Sequence, residues 1–138
     1  MDKAVEDVER AMVAVRRRQR RRVLAGGAGA HYDVLDVLEE VGPSATVSSV
    51  AAALSVDQPR ASKLVATAVA EGLVRRVADQ ADGRRALLEP TASGREALAR
   101  MHSVRQEAFS GAMAGWSEEE RATFARLLGR FVSALGPG

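Results

Sequence analysis

The chain has 138 residues, 46% of them hydrophobic and 28% charged, with a formal net charge of +2. That size suits one domain with a modest core and is short for two. There is no cysteine, which excludes disulfides, thiolate metal sites and thiol redox sensing.

No apolar run approaches the roughly 18 residues of a membrane span. The acids Asp2, Glu6, Asp7 and Glu9 rule out a signal peptide at the N-terminus, so a cytoplasmic protein is expected. The charge is unevenly spread. Residues 1–24 carry eight Lys/Arg against four Asp/Glu, and residues 25–42 carry four acids and no base. Residues 43–91 and 92–138 each carry six bases against five acids. Lys3 and Lys63 are the only lysines; the other bases are arginine.

A first helix is predicted from about Asp2 to Leu24, with Val5, Val8, Met12 and Val15 at spacings of three, four and three. A seam that narrow favours packing against another helix, including one from a second chain. Its second half carries Arg16, Arg17, Arg18, Arg20, Arg21 and Arg22. Like charges four apart on a helix repel, so the cluster calls for a nearby anion. The acids Asp33, Asp36, Glu39 and Glu40, DNA phosphates and a carboxylate ligand are the candidates; an ordinary solvated face is the plainer reading. Ala25 to Ala30 form a glycine-rich joint with no Lys, Ser or Thr after the glycines, so it is no nucleotide-binding loop. His31 to Glu40 reads as a helix that buries Tyr32, Val34, Leu35, Val37 and Leu38, and Gly42-Pro43-Ser44 ends it. A lone histidine such as His31 is more often a structural hydrogen-bonder than a ligand contact.

Val47 to Leu54 reads as a short helix capped by Thr46 or Ser48, and Ser55-Val56 as a turn. Asp57 caps a second helix, Gln58 to about Glu71, with Pro59 in its first turn, where a missing N–H costs nothing. Ala61, Leu64, Val65, Ala68 and Val69 form its buried stripe, and Gly72 ends it. Opposite the stripe lie Pro59, Lys63, Ala66 and Ala70, flanked by Arg60, Thr67 and Ser62. Small residues among a few hydrogen-bonding ones let a helix approach a base-pair edge. A solvated face padded with alanine has the same composition.

Leu73–Val77 and Ala86–Glu89 then read as two strands around the turn signal Asp82-Gly83. The loop sets Arg84 and Arg85 at its tip, where the Asp82 carboxylate can orient a guanidinium. A helix pair followed by a basic hairpin is the winged helix-turn-helix layout. One helix enters the major groove, and arginine on the wing suits the negative potential of an adjacent minor groove. Thr91 caps a long helix from Ala92 to about Met113, and Gly115-Trp116 interrupts it. Ser117 and Glu120 form a capping box for a last helix with a wide stripe of Phe124, Leu127, Leu128, Phe131, Val132 and Leu135.

Three segments together resemble the MarR (multiple antibiotic resistance regulator) family. They are Val56-Asp57-Gln58-Pro59-Arg60-Ala61-Ser62-Lys63-Leu64-Val65, Glu71-Gly72-Leu73-Val74-Arg75-Arg76, and Asp82-Gly83-Arg84-Arg85 through Leu88 and Thr91 to Gly94. The resemblance spans nearly the whole chain. It implies a mainly α fold with a small β-hairpin wing: a single domain over 1–138 with a winged-helix lobe at 31–91. The helices at 1–24 and 92–138 would build a symmetric homodimer. Their apolar stripes exceed what a lobe of about 60 residues can cover, which points the same way; packing into one larger α core is the alternative.

The expected function is a DNA-binding transcriptional regulator, a ligand-responsive repressor on a pseudo-palindromic operator in double-stranded DNA. The expected DNA contacts are Gln58, Pro59, Arg60, Ser62, Lys63, Thr67, Asp82, Arg84 and Arg85. The resemblance further implies a small anionic aromatic ligand between lobe and dimerisation helices, at Arg16, Arg20, His31 and Tyr32. No cofactor or metal is expected. Enzyme chemistry lacks a constellation, because His31 and His102 stand on separate helices without a cysteine or a paired carboxylate by a glycine-rich loop. The alternative function is a winged-helix adaptor for protein contacts; the set Lys63, Arg84 and Arg85 speaks against it, since an adaptor needs no charged wing tip.

Overall fold

A computed structural model describes residues 2–20 and 29–136. In chain order it contains α1 (Lys3–Arg20), a 3-10 turn (Ala30–Tyr32), α2 (Asp33–Val41), α3 (Val47–Leu54), α4 (Gln58–Ala70), β1 (Val74–Ala78), β2 (Ala86–Pro90), α5 (Ala92–Ala112) and α6 (Glu118–Ala134). The strands form a two-stranded antiparallel sheet in which Arg76 faces Leu88. The architecture is the mainly α, winged one that the sequence predicts. Residues 21–24 of the expected first helix and Ala25–Ala28 of the glycine-rich joint lie outside the described residues.

Local chemistry sets the helix ends. Thr46, not Ser48, caps α3: its hydroxyl accepts from Ser49 N at 3.2 Å while Ser49 Oγ accepts from Thr46 N at 3.0 Å. Ser55 ends α3 in the left-handed region at φ 55°, a conformation that costs a non-glycine residue about 1 kcal/mol. Asp57 Oδ1 then accepts from Arg60 N at 2.8 Å and opens α4. The helix expected from His31 starts two residues later. Tyr32 N donates to Gly29 O at 3.1 Å, which winds Ala30–Tyr32 into the 3-10 turn. Ser117 and Glu120 form the predicted capping box on α6.

Among the described residues every buried hydrophobic side chain lies between Val34 and Leu98. α2 supplies Val34, Leu35, Val37 and Leu38; α4 supplies Ala61, Leu64, Val65 and Ala68; the wing adds Val74 and Leu88. Leu88 N donates to Ala45 O at 2.9 Å, tying the wing to the segment before α3. The core also takes Ala97 and Leu98 from α5, so it runs past Thr91 into the long helix. α1 and α6 bury none of their apolar side chains: Val5, Val8, Met12, Val15, Phe124, Leu127, Leu128, Val132 and Leu135 stay exposed.

Two ion pairs one turn apart clasp α2 to α5. Arg105 donates to both Asp36 oxygens, at 2.9 and 2.6 Å, and His102 Nε2 meets the Glu39 carboxylate at 2.8 Å. The hydrogen bonds to Asp36 raise the Arg105 pKa above its ordinary value against the opposing effect of burial, so the guanidinium is charged at every working pH. The clasp corrects one expectation. The acids Asp36 and Glu39, offered as counterions for the α1 arginines, are taken by α5 instead.

The corner between α4, the wing and α5 is held by Thr91. Its hydroxyl donates to Gly72 O and accepts from Gly94 N at 3.0 Å, while its N–H donates to Leu73 O at 3.0 Å. Gly94 is buried there, and a Cβ on it would stand 2.0 Å from the Leu73 carbonyl oxygen and 3.3 Å from Leu35 Cδ2. A backbone atom cannot step aside as a side-chain end can. Gly94→Ala should therefore lower stability by about 1–3 kcal/mol, measured as a reduced denaturation midpoint with an unchanged slope.

Candidate nucleic-acid interface

Burying the stripe of α4 in the core turns its other side outward. Gln58, Pro59, Arg60, Ser62, Lys63, Ala66, Thr67 and Ala70 are all exposed. Among the described residues Arg60 and Lys63 have no carboxylate partner, so both cations are available to an anion or a base edge. Thr67 differs. Its hydroxyl donates to Lys63 O at 3.0 Å, inside its own helix, which leaves only acceptor capacity toward a ligand.

The wing tip is organised by its two aspartates. Asp82 Oδ1 accepts from Arg84 N at 3.1 Å and from Arg84 Nε at 3.4 Å. Arg84 is thereby aimed while its side chain stays 94% exposed. Asp79 accepts from Ala81 N at 2.9 Å and lies 3.9 Å from Arg85 Nε. Arg85 N donates to Asp82 O at 3.0 Å, closing the turn. Each tip arginine thus has its own counterion, at the loose spacing of an exposed pair that costs little to break.

Farther down the hairpin are two cations that the sequence reading passed over. Arg75 pairs with Glu89 across the strands, and exposed Arg76 has no acidic partner among the described residues. The signal for the first was available. A hairpin turning on Asp82 pairs residues equidistant from it, and Arg75 and Glu89 stand equally far on either side.

The four residues expected at a ligand site are less gathered. Arg16 is exposed, and no hydrogen bond or ion pair joins it to His31 or Tyr32 among the described residues. Arg20 closes α1, and its side chain lies outside the described residues. His31 sets its buried Nε2 beside the Glu71 carboxylate at the end of α4, without hydrogen-bond geometry, and its ring 4.6 Å from that of Tyr32. Tyr32 packs on the core. His31 is thus a structural link between the 3-10 turn and α4. Among the described residues no group of His, Asp and Glu is placed to hold a metal, and no helix is long and apolar enough to cross a membrane.

Comparison with known proteins gives consistent matches. A model of the MarR family matches residues 28–85. The uncharacterized HTH-type transcriptional regulator YxaD of Bacillus subtilis (strain 168) is 32% identical over 104 residues, 75% of this chain and 72% of that protein. The structure of a MarR family protein from Bacillus stearothermophilus superposes with a TM-score of 0.82 at 21% identity, covering 98% of both chains. That of Bordetella bronchiseptica BpsR, solved to explain regulation of its DNA binding by 6-hydroxynicotinic acid, gives a TM-score of 0.62 at 22% identity over 89% of this chain and 98% of that one.

The tip geometry has a direct test in DNA binding. Arg84→Ala should weaken binding by about 1–3 kcal/mol with folding unchanged, and Asp82→Ala should weaken it indirectly by freeing the guanidinium. Fluorescence anisotropy on a labelled duplex at physiological salt reads both, and wild-type affinity for Arg84→Ala would remove the wing from the interface.

Proposed function

The chain belongs to the MarR family of winged-helix transcriptional regulators, and we propose that it is a homodimeric, ligand-responsive repressor binding a pseudo-palindromic operator. The observation that carries the DNA reading is the outer face of α4. Arg60 and Lys63 stand there free of carboxylates among the small residues Ser62, Ala66 and Ala70, beside a wing tip that projects Arg84. Gln58, Pro59, Arg60, Ser62 and Lys63 occupy the first turns of α4, the part of a recognition helix that meets base edges. The Arg60 fork matches guanine O6 and N7; Lys63 serves phosphate. Arg84, held by Asp82, enters a minor groove, and Arg85 exchanges Asp79 for phosphate. The adaptor reading gains no support from this face.

The homodimer reading is supported by α1 and α6, whose apolar residues are uncovered in the protomer. The distal half of α5 adds exposed Val104 and Phe109. A second copy covers such faces with the same faces, and two-fold symmetry of the protein then demands half-sites about 10 base pairs apart.

The ligand reading is supported by the arginines. Arg16, Arg17 and Arg18 have no carboxylate partner among the described residues, and a bound anion would relieve their repulsion. BpsR, which shares the fold, is regulated by an aromatic acid. A carboxylate suits the arginine fork, and we place the ligand near Arg16, Arg20, His31 and Tyr32. Its binding would release the repressor by altering the spacing of the two recognition helices.

Two measurements test these roles. Arg60→Ala should narrow the affinity ratio between a selected site and random DNA. Lys63→Ala should weaken both equally and make the salt dependence shallower by about 0.9; equal losses on both DNAs for both variants would show that neither side chain reads bases. For the ligand, calorimetric titration with benzoate and salicylate should give heat of binding and loss of the DNA complex, with Arg16→Ala insensitive to ligand yet still bound to DNA. No heat at millimolar ligand, with the DNA complex intact, would leave the arginines a purely structural or phosphate-facing feature.

A further inference from the structure

The segment 43–91 holds five carboxylates, and four of them have work inside the fold. Asp57 caps α4 through Arg60 N, Asp79 and Asp82 hold the wing turn through Ala81 N and Arg84 N, and Glu71 receives His31. Glu89 alone has no partner except an arginine, Arg75 across the hairpin. It stands on a strand, where glutamate is disfavoured, and a cross-strand pair this open to solvent contributes little to stability. Arg75 is two-thirds exposed, so DNA phosphate can compete for it.

We infer that Glu89 sets the strength of sequence-independent DNA binding, which it holds down by neutralising Arg75 beside the wing. The inference rests on the proposed DNA-binding role. Binding to arbitrary duplex is driven almost wholly by cations that release counterions from phosphate, whereas an operator adds base contacts. Within 43–91 the bases exceed the acids by one, so a single carboxylate is a large share of that segment's balance. With Glu89 in place, Arg75 reaches phosphate only by leaving its partner. Without it, Arg75 becomes an additional cation on every sequence alike. Operator and random DNA then tighten by the same factor, because the gain comes from phosphate and not from base contacts.

The test uses the full-length protein, a random-sequence 30-base-pair duplex and a site selected by the wild-type protein from a randomised pool, over a range of salt. Glu89→Gln keeps the size and hydrogen-bonding capacity of the side chain and removes its charge. It should tighten binding to the random duplex up to roughly eightfold at about 0.1 M monovalent salt, and steepen the salt dependence by about 0.9, the effect of one further phosphate contact. The double variant R75Q/E89Q removes both charges and should keep the wild-type salt dependence. Thermal unfolding of each variant accompanies the titrations. A lowered midpoint with wild-type salt dependence in E89Q would reduce Glu89 to a sheet-stabilising partner and overturn the inference. So would a steepened slope that persists in the double variant, because the effect would not pass through Arg75. Failure of the wild-type protein to bind any duplex at low salt would instead overturn the DNA-binding role itself.

Discussion

The carbonyl of Leu73 is the point on which the arrangement turns. It accepts the N–H of Thr91 and faces the Cα of Gly94 at a distance that excludes any side chain. Through that contact the end of α4, the root of the wing and the first turn of α5 share one small volume. Thr91 closes the corner from the other side by reaching Gly72 O. α4 and the wing are therefore fixed relative to each other by backbone geometry, with their positions independent of any exposed ion pair. The wing tip can be loosely paired because the corner behind it is not.

Electrostatics follows a different logic on the two sides of the lobe. Against α5, Asp36 and Glu39 are committed to Arg105 and His102 at short distances, and the Arg105–Asp36 pair is partly shielded from water. Toward the outer surface the arginines keep looser or solvent-exposed carboxylates, or none. The segment 43–91, with six bases against five acids, can still present positive potential, because α4 and the wing tip project their cations while three of the five acids are spent on caps and turns. Net charge would have missed this; position shows it.

Much of this was legible in the sequence. The stripe Ala61, Leu64, Val65, Ala68 fixes the buried face of α4, and so the exposed face, because helical periodicity allows only one solution. The Asp82-Gly83 turn located the wing, and Ser117 with Glu120 located the start of α6, since both signals act within a few residues. What stayed hidden was long-range. The pairs Asp36–Arg105 and Glu39–His102 join residues more than sixty positions apart, and nothing local distinguishes those acids from free ones. The arginines at the end of α1 were one candidate set of partners for them, offered because they lie close along the chain. The role of Gly94 was equally invisible, since a glycine inside a helix reads as a weak spot until a carbonyl is found against it.

The confinement of the core to one stretch of chain bears on how the protein orders itself. Among the described residues the buried side chains lie between Val34 and Leu98, so that stretch is the cooperative folding unit of the protomer. α1 and α6 have 18 and 17 residues, and most of a helix's stability in a protein comes from packing its apolar face. Their amide protons are sheltered only to the extent that something covers their apolar faces. Hydrogen exchange in the lobe is then a property of a single chain, whereas in the proposed homodimer exchange in the terminal helices slows as the protein is concentrated.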